Sequence, residues 1–213
     1  MDRGAFSSGD YWEARYRAGG TSGAGSYGRL ATFKADFINA FVADNRIASV
    51  LDLGCGDGNL LSLLRLPAYV GVDISPITLE RCAVRFVERP NYTFLSPDRL
   101  DEAASTELAL SIDVIFHLVE DTVFERHVRD LFERATRFVI IYASNHDSAW
   151  PDPHVRHRRF TDHVTARWPA WQLLAHVPNR FPYDHARPNV TSFADFFVYG
   201  CTTEACLIRF PAV

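Results

Sequence analysis

Excess positive charge, long apolar runs and an ordered cysteine pattern are all missing from this sequence. Its 213 residues carry 22 lysines and arginines against 26 aspartates and glutamates, a formal net charge of -4. That balance gives no basic field of the kind nucleic-acid binders present, so no nucleic-acid partner is expected. No apolar run approaches the ~18 residues a membrane span needs, and no membrane partner is expected either. The opening MDRGAFSSGDYWEARYR is polar and lacks the apolar core of a signal peptide. A cytoplasmic location follows as an expectation. The four cysteines, Cys55, Cys82, Cys201 and Cys206, fit no disulfide framework. The Cys201/Cys206 spacing has no second close pair to complete a zinc site, so free thiols and no metal are expected. No internal repeat is visible, and nothing speaks to oligomeric state.

What is present is a well-supplied core. Hydrophobic residues make up 47% of the chain, enough for one α/β domain of this length across residues 1–213. Residues 30–42 read as a helix with Leu30, Phe33, Phe37, Ile38 and Phe41 on one face. Short apolar runs at 49–53, 69–72, 91–95, 112–116 and 137–142 read as five strands. Helices are predicted between them at 59–66, 76–88 and 122–135, the second opening on Pro76 after a Ser75 cap. Such alternation points to a mostly parallel, doubly wound sheet with helices on both faces. After residue 141 the rhythm changes. A helix at 161–168 precedes runs at 171–177 and 192–200, which have no helical link and are expected to pair antiparallel at one edge, giving seven strands. Phe193, Phe196, Phe197 and Tyr199 read as packing in the last of these. Residues 205–210 are a further short strand or a tail.

The strongest local signal is Val50-Leu51-Asp52-Leu53-Gly54-Cys55-Gly56-Asp57-Gly58. A buried strand runs into a glycine-rich turn, where glycine permits unusual backbone angles and close approach to a ligand. A second strand then ends in Gly71-Val72-Asp73-Ile74-Ser75. A carboxylate at that tip suits two ribose hydroxyls, or else caps the next helix. These two motifs resemble those of the class I, Rossmann-like, S-adenosylmethionine (SAM)-dependent methyltransferases, over roughly residues 45–145. The GxGxxG pattern of NAD enzymes fits less well, because Asn59 stands at its third glycine position.

The resemblance implies SAM as cofactor and S-adenosylhomocysteine (SAH) as product. It implies that Asp52 orients the SAM amino group and that Gly54, Cys55 and Gly56 line the methionine portion. Asp73 would bind the ribose and Ile74 would pack on the adenine. Asp98 and Ser96 compete for the adenine amino group, with Asp98 preferred. Asp113, in the segment resembling the family's fourth motif, joins the cofactor set. The polar-aromatic stretch 11–17 resembles the short helix that many small methyltransferases lay over the cofactor. There Tyr11 and Tyr16 would face the sulfonium, and Arg15 or Arg17 the carboxylate. Residues 19–26 then read as a lid, or as a plain linker.

On the acceptor side, His117 ends the predicted fourth strand and is the first candidate general base; otherwise it is a strand-end residue bonded to structure. In-line methyl transfer can proceed on positioning alone, so a base is not obligatory. Glu120 and Asp121 read as the start of a helix. His146 is a second base candidate. The cluster His154, Arg156, His157, Arg158, Arg159 is either an anion site, with Arg156 and Arg159 on the substrate, or a solvated lead-in pairing with surface acids. Tyr183, with Arg180 and His185, is a candidate substrate contact. The expected activity is methyl transfer to O or N of a small polar, possibly anionic, molecule. A nucleic-acid or protein methyltransferase is the alternative, though no NPPY-like motif, catalytic-cysteine motif or basic appended domain occurs. A non-catalytic SAM-binding module on the same fold is the third reading.

Overall fold

The computed structural model describes residues 6–202. Seven strands form one sheet: β1 (Val50–Leu53), β2 (Tyr69–Val72), β3 (Tyr92–Leu95), β4 (Thr106–Ile112), β5 (Ala135–Ala143), β6 (Trp171–Val177) and β7 (Asp195–Cys201). Their order is β3-β2-β1-β4-β5-β7-β6. The first five run parallel, and β7 pairs antiparallel with both β5 and β6. This is the expected doubly wound sheet with an antiparallel C-terminal hairpin. The order reverses between β1 and β4, so the crevice outside their carboxyl ends is where such a sheet receives ligands.

Among the described residues five α-helices accompany it: α1 (Ser8–Arg17), α2 (Gly28–Asp44), α3 (Pro76–Arg85), α4 (Asp121–Arg134) and α5 (Phe160–Arg167). The predicted face of α2 is buried throughout: Leu30, Phe33, Phe37, Ile38 and Phe41. Phe37 lies 4.2 Å from Phe196 and Phe41 5.1 Å from Phe138, ring centre to ring centre. The helix is thereby held against β5 and β7. Phe196 and Phe197 are buried as strand packing.

Two elements differ from the sequence reading. The fourth strand is Thr106–Ile112, not 112–116. Leu108, Leu110 and Ile112 stand at every second position of this strand, which pairs with β1 on one side and β5 on the other. Asp113 closes the strand with φ +60°, and residues 115–117 form a 3-10 turn. The predicted helix 59–66 is also absent. Only a 3-10 turn at Leu61–Leu63 forms there, squeezed between Gly58 at φ +72° and Pro67, before which α-helical backbone is disfavoured. No α-helix therefore follows the glycine turn directly. Smaller shifts bring α3 to an end at Arg85 and start β7 at Asp195. The predicted strand or tail at 205–210, and Cys206, lie outside the described residues.

Candidate functional site

At the carboxyl ends of β1, β2 and β4 lies a cleft of about 600 Å³, a volume typical of a small-molecule site. Its floor is the glycine turn. Gly54 has φ +93°, and a Cβ there would stand 2.4 Å from Val114 Cγ2. Gly56, at φ +58°, would meet Ser22 Oγ at 2.3 Å. No other residue fits either position without displacing a neighbour.

Two buried carboxyls flank this turn. Asp73 Oδ2 accepts from the Gly56 N–H (2.9 Å), and Oδ1 accepts from the Ser75 N–H (3.0 Å). The tip of β2 thus clamps the tip of β1. Burial raises the Asp73 pKa against the pull of those two N–H groups. Asp52 accepts the Tyr69 hydroxyl on Oδ2 (2.9 Å), while its Oδ1 is buried with no hydrogen-bond partner. Burial pushes Asp52 up to about 7, although the Tyr69 bond opposes it. A buried carboxylate oxygen on a cleft wall, lacking a donor, fits an ammonium group. Ile74, half exposed, presents an apolar side chain to the same cleft, as an adenine platform requires. Cys55 is a free, buried thiol among these groups, its pKa raised well above the ordinary value, first by a hydrogen bond with the Cys82 thiol and then by burial.

Residues 22–27 lie against the turn, held by a residue the sequence reading gave no role. Asp57 Oδ2 accepts from the Ser22 N–H and the Tyr27 hydroxyl, both at 2.8 Å. The Asp57 N–H returns a bond to Ser22 Oγ (2.9 Å), and Asn59 Nδ2 reaches the Ser26 carbonyl (2.7 Å). Tyr16 joins through its hydroxyl to Ser22 Oγ (3.0 Å) and lines the cleft.

The family model described as a methyltransferase domain matches residues 27–187. The chain belongs to this methyltransferase family. Rv1506c of Mycobacterium tuberculosis, a protein named as a methyltransferase, is 33% identical over 96 residues; the match covers 42% of this chain and 58% of that protein. The chain therefore aligns with little more than half of that relative. Among solved structures, magnesium protoporphyrin IX methyltransferase from Synechocystis PCC 6803 with bound SAH superposes with a TM-score of 0.64 at 16% identity, over 90% of this chain and 97% of that one. The N-methyltransferase NodS from Bradyrhizobium japonicum WM9, also with SAH, gives 0.62 at 11% identity, over 81% and 87%. These likenesses show the class I fold. SAM is the methyl donor of this class.

The remaining methyltransferase cofactor candidates are placed less uniformly. Tyr11 stacks on His154 (4.7 Å between centroids) and is not among the cleft-lining residues. Arg15 is spent on the lid, its Nε donating to the Thr21 carbonyl at 2.7 Å. Trp12, unremarked in the sequence, takes the wall position instead. Asp98 is fully exposed, its pKa lowered mainly by a hydrogen bond with Ser96. Pro97 and Leu100 line the cleft in its stead, because 97–102 is a 3-10 helix that turns Asp98 outward. Ser8 of α1 is latched to Glu120 by its N–H (2.9 Å) and hydroxyl (2.7 Å). Glu120 thus holds α1 across the cleft as well as preceding α4.

At the end of β4, Asp113 lines the cleft and pairs with Lys34 of α2, which has no exposed surface. Lys34 interrupts the apolar face of its helix, and that interruption was the one sequence signal for the pair. His117 also lines the cleft. Its Nδ1 lies 2.9 Å from the His154 carbonyl, which makes Nδ1 the protonated nitrogen and leaves Nε2 an acceptor. Burial lowers its pKa to about 4 despite that bond, so the ring is neutral at physiological pH. The cleft continues along α4 past Arg126, His127 and Asp130, with His127 Nε2 2.8 Å from Ser111 Oγ.

The other acceptor-side candidates stand apart from the cleft lining. His146 packs 4.3 Å from His157, whose Nδ1 bonds Ser144 Oγ. Arg156 pairs with Asp121 (3.0 Å) and the Val119 carbonyl. Arg158 bonds the Leu118 and Val119 carbonyls and Asp121. Arg159 approaches Asp147 and Asp162. Arg156 and Arg158 are thus bonded to the start of α4, although Arg158 Nε is buried without a partner, and Arg159 makes only long approaches to its two carboxylates. Tyr183 sits in an aromatic group with Trp150, His185 and Phe193. Among the described residues there is no cluster of histidine, cysteine and carboxylate able to hold a metal, and no helix long and apolar enough to cross a membrane.

Proposed function

We propose that this chain acts as one catalytic unit that transfers a methyl group from SAM to an oxygen or nitrogen of a small molecule. One observation carries the reading. The unpartnered Asp52 oxygen, the glycine turn and the Asp73 clamp converge in one cleft with Asp113 and His117 at its β4 end.

Bound SAM supplies a methyl on a sulfonium, ready for in-line displacement. Asp52 Oδ1 receives its ammonium. The backbone of 54–56 follows the methionine portion. Asp73 has lone pairs left after two strong bonds and receives the ribose; Ile74 supports the adenine. α1 and the 19–26 lid exclude water above the reacting atoms. Trp12 and Tyr16 face the cation with aromatic rings. His117 Nε2 accepts a proton from the nucleophile where one must leave. Its depressed pKa makes it a hydrogen-bond acceptor rather than a strong base, and positioning carries most of the acceleration. The names of the structural neighbours, which include a porphyrin methyltransferase and an N-methyltransferase, support a small-molecule acceptor.

Calorimetric titration with SAH tests the cofactor reading, and a labelled-methyl screen over metabolites, RNA and protein tests the acceptor. Micromolar SAH binding with label on small molecules is expected. A folded protein that ignores SAH and SAM at millimolar concentration would overturn the proposal.

A further inference from the structure

The charge on the cleft wall restricts the acceptor. Six carboxyl-bearing residues line it: Asp52, Asp57, Asp73, Asp113, Glu120 and Asp130. Arg126, in the second turn of α4, is the lone lysine or arginine among the lining residues. The two lining histidines, His117 and His127, have lowered pKa values and are neutral at physiological pH. The arginines that would recognise an anion, Arg156, Arg158 and Arg159, face Asp121, Asp147 and Asp162. An anionic acceptor would meet more carboxyls than cations, the cations there being Arg126 on the lining and Arg15, 5.7 Å from the Trp12 ring centre.

Most of these carboxyls already have work. Asp57 holds the lid, Glu120 holds α1, Asp73 clamps the glycine turn, and Asp52 is assigned to the cofactor ammonium. Asp113 remains at the end of β4. Its Oδ2 meets Lys34, and its side chain keeps some exposure to the cleft. Nearby, Trp12 packs edge-on to His117 at 4.9 Å, and both line the same cleft. An aromatic face, a carboxylate and a neutral imidazole form a recognition set for a protonated amine.

We propose that the acceptor is a small primary or secondary amine, bound as its ammonium by Asp113 and Trp12 and methylated on nitrogen. The inference rests on the methyltransferase reading above. The ammonium first loses one proton to solvent water, and His117 Nε2 accepts a hydrogen bond from an N–H that remains. The freed lone pair forms the new N–C bond as the S–C bond breaks and its electron pair stays on sulfur. The products are a methylammonium and the neutral thioether SAH. No oxidant or further reactant is required.

The test uses binding to the full chain saturated with SAH, read by calorimetry. Three probes share one ring and chain length and differ in the terminal group: tyramine, its alcohol analogue tyrosol, and 4-hydroxyphenylacetate. Tyramine is expected to bind about tenfold or more tighter than either other probe, a gap of about 1.4 kcal/mol. Asp113→Asn should erase that preference. Because it strands a buried lysine and can unsettle the fold, Lys34→Met is the companion variant. With the neutralising cation removed, Asp113 should hold tyramine more tightly than in the parent, a gain that general damage would not produce. Equal binding of the three probes, preference for the carboxylate, no binding by any at millimolar concentration, or weaker tyramine binding in Lys34→Met would overturn the proposal. A wild-type protein that fails to bind SAH would remove the methyltransferase reading itself, and this inference with it.

Discussion

The two ends of the cleft are built on different principles. At the end proposed to hold the cofactor, from residue 50 to 75, the groups that matter are close in sequence and lie in or just after strands β1 and β2. Asp52 lies in β1, the glycines follow it, and Asp73 follows β2, one register step beyond Val72, which pairs with Leu53. At the acceptor end the groups come from distant segments. Asp113 is paired with Lys34 across 79 positions, and His117 with His154 across 37. The first end is set by local chain geometry and tolerates little change. The second is set by packing between loops, where chemistry varies without disturbing the sheet.

The largest expected break in that comparison is Asp73→Ala. From sequence it removes only a ribose contact and leaves the fold intact. The structure adds two buried N–H groups, Gly56 and Ser75, that lose their acceptor, at about 1–3 kcal/mol each. Calorimetry should show SAH affinity falling by about a hundredfold or more, and thermal melting should show a clear loss of stability. A variant with unchanged affinity would end the ribose assignment.

Next comes Asp52. Its folded pKa, about 7, lies above the ordinary 3.8. Below about 7 the carboxyl is therefore protonated in the free protein and cannot pair with an ammonium; above it, it can. SAH affinity should fall as pH drops through 7, by up to about tenfold per unit. The sign for stability is opposite: the folded state binds the proton more tightly, so this carboxyl costs stability as pH rises from 3.8 to 7. Asp52→Asn should flatten the pH dependence of binding and raise the melting temperature of the ligand-free protein at pH 8. A pH profile identical in variant and parent would refute the role given to Asp52.

Gly56→Ala should be milder. The new methyl lies 2.3 Å from Ser22 Oγ and forces a side-chain residue to φ +58°, a strain of about 1–2 kcal/mol. Ser22 can turn aside only by loosening the lid, so protease cutting within 19–26 should rise before global unfolding does. Unchanged cutting would mean the lid is not seated on the turn.

The smallest effect is expected at the other end. Arg159→Ala removes long, exposed contacts to Asp147 and Asp162. Stability should change by about 0.5 kcal/mol or less, and SAH affinity not at all. A large loss of SAH binding would show that the 146–160 segment shapes the cofactor end after all, and the contrast between the two ends would fail.

This contrast also explains what could be read in advance. Strand β1, the glycine turn, β2 and Asp73 form one contiguous pattern, so the sequence located them. The buried face of α2 was legible because five apolar residues repeat at helical spacing. The fourth strand was displaced because the denser apolar run at 112–116 masked the alternating Leu108, Leu110 and Ile112, whose strand is fixed by pairing with β1 and β5. Asp98 was misplaced because nothing in its neighbourhood announces a 3-10 helix. Arg156 and Arg159 promised an anion site because their acidic partners, Asp121 and Asp147, lie elsewhere in the chain or on an adjoining loop.

The chain order of strands, the glycine turn and the carboxyl at each strand tip were determined by sequence alone, since backbone sterics and side-chain periodicity act over a few residues. Tertiary structure alone decided that Lys34 pairs with Asp113, that Asp57 fastens residues 22–27, that Glu120 holds α1, and that Arg156 and Arg158 meet Asp121. Each of those is a choice among partners of suitable charge, and only folding brings one candidate within hydrogen-bond reach while leaving the rest in water.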